Sequence, residues 1–464
     1  MTAALALLFL GSVGLIVGIA LRNKAYGKFF RYRRDQDQRY DFSNSGAVTV
    51  EIRLDADGFT WPATEGTWDT AFLEMRIRSN WLGRLAEPYL EARTLHHYAR
   101  QYFERGAAGQ RLVNISGLCR GGVAPGQRFW LHATRLDFDP QATRLILFRT
   151  ALPARPRTLI LAPHPDDAEI AAFGFYSQAE STVVTVTAGE GGGFYLAHAQ
   201  PGEELVTGRL RVWDSIHVPT LGDVPIERAI NLGYADGSLL HMHDRTTHLG
   251  GSAEALRNFR MANNSSMLRE NAEPTWASLV RDLVEILRRT NPEIIVTPHP
   301  LLDDHPDHAF TTLALFEALR GAGLGDGKLL LYTNHPPTTN LHPVGENDGV
   351  VSLPPRFGEP LDFRTIHSHP LSETTQRTKF HALEAMHDLR TLPRLEARRW
   401  RDWLRATLAG LRNQITGVDA RATSYFRRAV RGNELFFVSE FSDAELLANR
   451  LRVAMKDITW HTFE

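Results

Sequence analysis

The stretch Thr158-Leu159-Ile160-Leu161-Ala162-Pro163-His164-Pro165-Asp166-Asp167 contains the strongest signal in this sequence. Its first half is apolar, which is typical of a buried strand, and its second half carries one imidazole and two carboxylates. A second stretch has the same design, with Ile294-Ile295-Val296-Thr297 followed by His305-Pro306-Asp307-His308. Open α/β sheets bind ligands at the carboxyl ends of their parallel strands. The two stretches therefore predict one shared functional site at the edge of such a sheet.

The residue types in these stretches suit a divalent metal with one open coordination position, most often zinc. His164 and Asp167 lie three positions apart at a predicted helix start and can reach one point, and His308 could complete a three-ligand set. Asp166 would then be free to accept a proton from water, while His305 could face a developing oxyanion or protonate a leaving amine. A single His or Asp at a helix start is usually only a cap, so the prediction depends on both stretches together.

These residues resemble the PIG-L/LmbE-like family of zinc-dependent N-deacetylases, the GlcNAc-PI de-N-acetylase-like enzymes. That family carries an HPDD-type string after its first strand and an HPDH string later, which are His164–Asp167 and His305–His308 here. The resemblance covers about residues 156–442. Four further segments are similar to family motifs: Thr187-Ala188-Gly189-Glu190-Gly191-Gly192, the pair Arg211 and Asp214, Leu232-Gly233-Tyr234-Ala235-Asp236-Gly237, and Glu440-Phe441.

The resemblance implies a role for each of eight residues. These are the zinc ligands His164, Asp167 and His308, the general base Asp166, the electrostatic or general-acid His305, the catalytic-site carboxylate Asp307, and the substrate-binding residues Arg211 and Asp236. Asp307 is expected to orient or tune His305 rather than to bind metal. Zinc is the expected cofactor, although His and Asp ligands also accept other divalent ions.

The overall composition restricts the class of protein. The 464-residue chain has 52 basic and 53 acidic residues, so its global charge gives no argument for a nucleic-acid partner. Its single cysteine, Cys119, excludes an intramolecular disulfide and a cysteine-rich metal cluster. Any metal must therefore be held by histidines and carboxylates.

Residues 1–21 are apolar and uncharged, which is about the length that crosses a bilayer as a helix. A basic stretch follows in residues 22–46, and the positive-inside rule would keep it in the cytoplasm. The sequence therefore predicts a membrane protein with a single-pass N-terminal anchor, a basic juxtamembrane linker and a catalytic domain in the cytoplasm.

The predicted secondary-structure pattern of the remaining chain changes once, near residue 154. Residues 47–153 have short alternating strands that predict a small β-sandwich-like accessory domain. From residue 154 to residue 445, strands alternate with helices, which predicts a Rossmann-like, doubly wound and mostly parallel α/β sheet. Residues 446–464 are expected to form a C-terminal tail.

The predicted function is removal of an N-acetyl group from an amino sugar. The predicted membrane anchor favours a substrate in a glycolipid or a lipid-linked glycan. One alternative is an amidase that acts on a soluble sugar conjugate, with the same metal centre. Another is a non-catalytic glycan-binding membrane protein with a vestigial metal domain, although an intact Asp166 beside Asp167 argues against it.

Overall fold

The computed structural model describes residues 20–192, 204–244, 251–268, 272–357, 360–389 and 428–455. Residues 47–153 form two antiparallel sheets. Their strands are β1 (Val48–Arg53), β2 (Gly58–Thr60), β3 (Thr70–Ser79), β4 (Tyr89–Arg93), β5 (Tyr98–Tyr102), β6 (Ala108–Asn114), β7 (Arg128–Thr134), β8 (Leu136–Phe138) and β9 (Ala142–Phe148).

The two sheets enclose one apolar core. One sheet has the order β1-β9-β3-β6, with β8 beside β3, and the other has the order β2-β7-β4-β5. The first four residues of strand β3 are buried on both faces. Leu73, with Met75 further along, belongs to the core between the sheets, whereas Phe72 joins the core of the following α/β unit together with Phe148 of β9. The β-unit is therefore packed against the rest of the molecule through a continuous apolar layer.

The remaining chain forms a seven-stranded sheet with helices on both faces. Its strands are β10 (Arg157–Ala162), β11 (Glu180–Thr187), β12 (Ala229–Tyr234), β13 (Ile294–Pro298), β14 (Lys328–Tyr332), β15 (Thr365–Pro370) and β16 (Asn433–Glu440). Its helices are α1 (Asp167–Tyr176), α2 (Glu204–His217), α3 (Leu239–Asp244), α4 (Ala253–Arg260), α5 (Trp276–Thr290), α6 (Pro306–Ala322), α7 (Glu373–Ala385) and α8 (Ala444–Ala454).

The sheet has the order β12-β11-β10-β13-β14-β16-β15. The five strands from β12 to β14 are parallel, whereas β16 runs antiparallel to β14 and β15 antiparallel to β16. The mixed α/β class is thus confirmed, and the expectation of a mostly parallel sheet needs correction at this one edge. The chain runs outward from β10 in both directions, so the boundary between β10 and β13 is the switch point at which such sheets bind ligands.

Local sequence explains why the helices begin and end where they do. The Thr275 side chain accepts a hydrogen bond from the Ser278 backbone and caps α5, whose apolar residues recur at helical spacing and face the core. The same helix ends at Asn291 in the left-handed conformation. At the other end of the chain, α8 buries Leu447 and Leu451 in the core, so a packed helix occupies the start of the expected C-terminal tail.

Residues 20–46, which we call the N-terminal strap, lie on the folded body. Residues 20–27 are helical, and Tyr26 and Phe30 are buried against Leu341. The backbone N–H of Arg31 donates to Thr338, and its guanidinium donates to the Asp304 carboxylate at 2.6 Å. Residues of the predicted basic linker thus contact the folded body.

The predicted localisation needs correction. Across the parts of the chain that the structure describes, no helix is both long and apolar enough to cross a membrane. The predicted anchor, residues 1–21, lies outside the described residues except for its last two positions. The finding contradicts the prediction of a single-pass membrane protein.

Candidate metal centre

Two strand-to-helix turns build the candidate site. Strand β10 ends at Ala162, and α1 begins five residues later at Asp167. The neighbouring strand β13 ends at Pro298, and α6 begins at Pro306 with His305 as its N-cap residue. Because β10 and β13 are parallel neighbours, both turns lie at the same edge of the sheet.

The three predicted metal ligands lie together. The Oδ2 atom of Asp167 is 3.2 Å from Nδ1 of His164 and 3.1 Å from Nε2 of His308. All three side chains are buried. Both ring nitrogens of His308 are buried and make no well-aligned hydrogen bond with a described residue, and Nε2 is in ion-pair contact with Asp167. A buried imidazole nitrogen without a hydrogen bond, facing a carboxylate and beside a second imidazole, is what a divalent metal site requires.

Further side chains that could bind a metal lie close to these three residues. Three groups of potential ligand atoms lie within 4.8 Å of one another: His164, His305 and His308; Asp167, His308 and His335; and His164, Asp236 and Asp307. His164 and His308 each belong to two of these groups, which places them at the centre of the cluster. The donor set of imidazoles and carboxylates fits zinc and also other first-row divalent metals.

Two residues that contact the predicted ligands were not predicted from the sequence, Asp303 and Asn334. Asp303 is fully buried, and its Oδ2 atom lies 3.1 Å from Nδ1 of His308 while it accepts hydrogen bonds from the backbone of Asn334 and His335. The Asn334 amide donates to Oδ1 of Asp167 at 2.7 Å. Such contacts orient metal ligands. The available signal was their position, because both residues follow strand ends at the edge that carries the predicted ligands.

Asp307 makes contacts that differ from those expected. Its carboxylate accepts hydrogen bonds from the backbone N–H groups of Gly237 and Leu239, and it lies 3.4 Å from Nε2 of His164. The Asp307 contact with His305 is made by its backbone N–H, which donates to Nδ1 of His305 at 3.2 Å. These two backbone donors lie in the turn after β12 and at the start of α3. The Asp307 side chain thus contacts the predicted ligand His164, whereas its backbone contacts His305.

The two predicted substrate residues lie at different distances from the ligands. Asp236 places Oδ1 3.1 Å from Nε2 of His164, so it borders the metal cluster directly. Arg211, on α2, lies behind Asp166, with its guanidinium 3.8 Å from the Asp166 carboxylate. Its guanidinium donates hydrogen bonds to the carbonyl oxygens of Gly189 and Pro165 and to the Asp388 carboxylate.

Asp166 adopts an unusual backbone conformation. Its φ is 132°, in a region that residues with a side chain seldom occupy, and it immediately precedes α1 as the N-cap residue. Burial, together with the nearby Asp388 and Asp167 carboxylates, raises the pKa of Asp166 well above its ordinary value. A divalent cation held by His164 and Asp167 would oppose that rise and favour the ionised form.

The histidines of the cluster differ in protonation. Burial, with repulsion from His164 and His308, lowers the pKa of His305 to about 2, so His305 is neutral. Burial also disfavours the charged form of His308, but Asp167 and Asp303 outweigh it and raise its pKa to about 9. The carboxylates around His308 thus form an anionic cage that suits a cation.

His299, the other histidine of the β13 loop, has a local structural role. Its Nδ1 atom accepts a hydrogen bond from the backbone of Leu301 at 3.1 Å. It belongs to none of the potential ligand groups among the described residues. His299 is therefore not among the potential metal ligands of the described residues.

Comparison with known proteins supports the sequence resemblance. Residues 159–319 match the family model described as PIG-L: GlcNAc-PI de-N-acetylase, a range that includes both histidine-aspartate strings. The family resemblance predicted from the sequence is thus confirmed for this segment. No curated protein matches the chain.

Several solved structures are similar over the larger part of the chain. The A40926 pseudoaglycone deacetylase is 17% identical and aligns with 62% of this chain and 98% of its own, at a TM-score of 0.36. A deacetylase–bog complex from the teicoplanin biosynthesis pathway is 17% identical, covering 61% and 98%, at a TM-score of 0.34. The zinc-inhibited form of a teicoplanin deacetylase is 15% identical, covering 61% and 98%, at a TM-score of 0.32. All three TM-scores are below 0.5, so no property of these proteins is assigned to this chain.

Proposed function

We propose that this protein is a metal-dependent hydrolase that removes an N-acetyl group from an amino sugar. The observation that carries the proposal is the buried Asp167 carboxylate with His164 on one side and His308 on the other, next to Asp166, whose own carboxylate lies 3.8 Å from Arg211. The match of residues 159–319 to a de-N-acetylase family model supports the same activity.

In the proposed mechanism, His164, Asp167 and His308 would hold a divalent metal, for which zinc is the first candidate. When bound, that metal would polarise the amide carbonyl and lower the pKa of water. The water oxygen bonds to the carbonyl carbon as Asp166 accepts its proton. The C–N bond then breaks, the proton passes to the leaving nitrogen, and the products are acetate and a free amine.

His305 is proposed to stabilise the oxyanion as a hydrogen-bond donor. Its Nδ1 atom accepts the backbone N–H of Asp307, so the neutral ring carries its proton on Nε2. Its ring centroid lies 4.6 Å from that of His164 and 5.1 Å from that of His308. A neutral donor preorganised beside the ligands can bind negative charge that develops on the carbonyl oxygen.

The substrate proposal is limited to an amino sugar with an N-acetyl group. A lipid-linked substrate was predicted from the membrane anchor, and that argument is lost with the contradicted localisation. Asp236 borders His164 and is proposed to accept hydrogen bonds from sugar hydroxyl groups.

The test is acetate release from N-acetylglucosamine derivatives, both soluble glycosides and glycolipids, by the full chain loaded with zinc. Asp166→Asn should abolish turnover and leave the zinc content unchanged, because Asp166 is proposed to move a proton and not to bind metal. Exposed Asp326→Asn is the matched control and should keep full activity. A wild-type protein that releases acetate from none of these substrates would contradict the proposed function, and an active Asp166→Asn variant would contradict the role of Asp166.

A further inference from the structure

A short turn after α7 contacts two side chains of α2, Asp214 and Arg211. Within this turn, Nδ1 of His387 lies 2.6 Å from Oδ1 of Asp214, and the His387 backbone donates to Oδ2 of the same carboxylate at 2.8 Å. The next residue, Asp388, accepts a hydrogen bond from the Arg211 guanidinium at 2.6 Å. Arg211 and Asp214 are three positions apart on α2 and share one side of that helix. Two consecutive residues of the turn thus hold both.

The guanidinium of Arg211 is fixed by acceptors from three separate segments. Its Nη1 atom donates to the carbonyl of Gly189, and its Nη2 atom donates to the carbonyl of Pro165 and to Asp388. The Arg211 and Asp388 side chains are both buried. The same Nη2 atom lies 3.8 Å from the Asp166 carboxylate. Among the acceptors of these three hydrogen bonds, Asp388 supplies the one carboxylate.

Building on the proposed function, we propose that Asp388 is a positioning residue that holds Arg211 beside the general base Asp166. His387 fixes the turn that presents Asp388, through its contacts with Asp214. Arg211 accordingly contributes by orienting Asp166, and its bonds to Gly189, Pro165 and Asp388 commit its terminal nitrogens to the protein. Nothing in the HPDD or HPDH strings predicts this role, because the turn follows α7 more than 200 positions after Asp166 along the chain.

A buried pair of the same kind provides a matched control. Arg260 and Asp282 lie 2.5 Å apart with side-chain exposures of 8% and 1%, against 8% and 6% for Arg211 and Asp388. They connect α4 to α5, and they bond to strand β12 through the carbonyl of Leu232 and the hydroxyl of Tyr234. Asp282→Asn therefore reproduces the loss of a buried pair without acting on Asp166.

The first experiment compares Asp388→Asn with Asp282→Asn on the zinc-loaded full chain. Loss of a contact that orients a catalytic group typically costs about ten- to a hundredfold in activity. We expect Asp388→Asn to lower kcat by at least about tenfold, with KM within about twofold of wild type and zinc content unchanged. Asp282→Asn should keep kcat. An unchanged kcat in Asp388→Asn, or an equal loss in both variants, would overturn the proposal.

A double-mutant cycle tests whether Asp388 acts through Arg211. In an Arg211→Met background, Asp388→Asn should change kcat by less than about twofold, because the group that it positions is already absent. A further loss as large as the one seen in the wild-type background would overturn the proposal. If Asp388→Asn does not fold, Asp388→Glu is the second variant. It keeps the charge but displaces the carboxylate, so an unchanged kcat in Asp388→Glu would also overturn the proposal.

Crystal structures of wild type and Asp388→Asn give a readout that does not depend on activity. The Arg211 guanidinium should move away from Asp166 in the variant. If it moves while the wild-type protein deacetylates no tested substrate, the proposed function fails and the positioning contact stands. If the wild type is active and the guanidinium does not move, the positioning proposal alone fails.

Discussion

Asp303 and His308 form a buried pair behind the candidate metal centre, with Oδ2 of Asp303 3.1 Å from Nδ1 of His308. Neither side chain is exposed to solvent. The opposite ring nitrogen of His308 faces Asp167. One carboxylate therefore holds the imidazole from behind and leaves Nε2 directed at the ligand cluster.

Asp303→Asn should weaken metal binding because the variant removes the negative charge that orients His308 and raises its basicity. The expected loss in zinc affinity is about 10- to 100-fold. Competition with a chromophoric chelator measures it directly, and Asp326→Asn, at an exposed position, serves as the control. Equal zinc affinity in Asp303→Asn and wild type would show that this pair does not support the metal site.

His299 should make the protein less stable in acid. Burial first, and then the nearby Arg356, lowers the pKa of His299 to about 3 in the folded protein. Below about pH 6.5 the unfolded chain binds a proton at this residue and the folded chain does not, so stability falls as pH falls from about 6.5 towards 3. At pH 5, the lowered pKa of His299 reduces the free energy of unfolding by about 2 kcal/mol relative to neutral pH.

His299→Asn should remove that contribution, since an amide oxygen can accept the Leu301 hydrogen bond without titrating. The measurement is urea unfolding at pH 7.5 and pH 5. The difference between the two pH values should shrink by about 2 kcal/mol relative to wild type. Exposed His96→Asn should leave it unchanged, and an unaltered difference in His299→Asn would count against the linkage.

Tyr26→Ala should destabilise the whole protein, because Tyr26 is only 2% exposed and packs with Phe30 and Leu341. Replacing a buried aromatic residue by alanine typically costs about 3–5 kcal/mol. Denaturant unfolding measures the change, and Tyr98→Ala at an exposed position is expected to cost less than about 0.5 kcal/mol. A similarly small effect in Tyr26→Ala would mean that the N-terminal strap does not belong to the folded body.

Glu434→Gln should be among the most destabilising single changes in the α/β unit. Glu434 accepts hydrogen bonds from Lys379, at 2.7 Å, and from the backbone of Gly174 and Phe175 in α1. Both members of the charged pair are buried, so the variant leaves an unpaired ammonium at an expected cost of about 3–5 kcal/mol.

The double variant Lys379→Met with Glu434→Gln should recover part of that loss, because the unpaired charge is removed. Glu445→Gln tests an exposed pair with Arg320 and should change the free energy of unfolding by less than about 1 kcal/mol. Equal stability of the single and double variants would show that the charge of Lys379 is not the cause.

The fold was predictable where the sequence pattern is local. The apolar run before His164 and the one before His305 became neighbouring parallel strands, since each run is short, buried and followed by a helix start. Strands β15 and β16 were not predictable in direction, because antiparallel pairing at the edge depends on contacts between segments far apart in sequence.

The candidate site was likewise predictable only where short motifs mark its residues. Each histidine-aspartate string predicts its own contribution, and the structure brings His164, Asp167 and His308 together. Asp303 and Asn334 belong to no motif, and only their positions after strand ends mark them in the sequence. Asp388 becomes recognisable only through its contact with Arg211. The strap illustrates a different difficulty, because aromatic and basic residues in alternation suit a membrane surface as well as the groove in which Tyr26 is buried.

The N-terminal strap also has a consequence for how the chain is made. Arg31 pairs with Asp304, 273 positions later. During synthesis, Arg31 leaves the ribosome 273 residues before its partner Asp304. Contacts at such long separation are formed slowly, because the entropy of closing the loop has to be lost first. The apolar and aromatic side chains of the strap, Tyr26 and Phe30 among them, therefore lack their native contacts until that later part of the chain has been made.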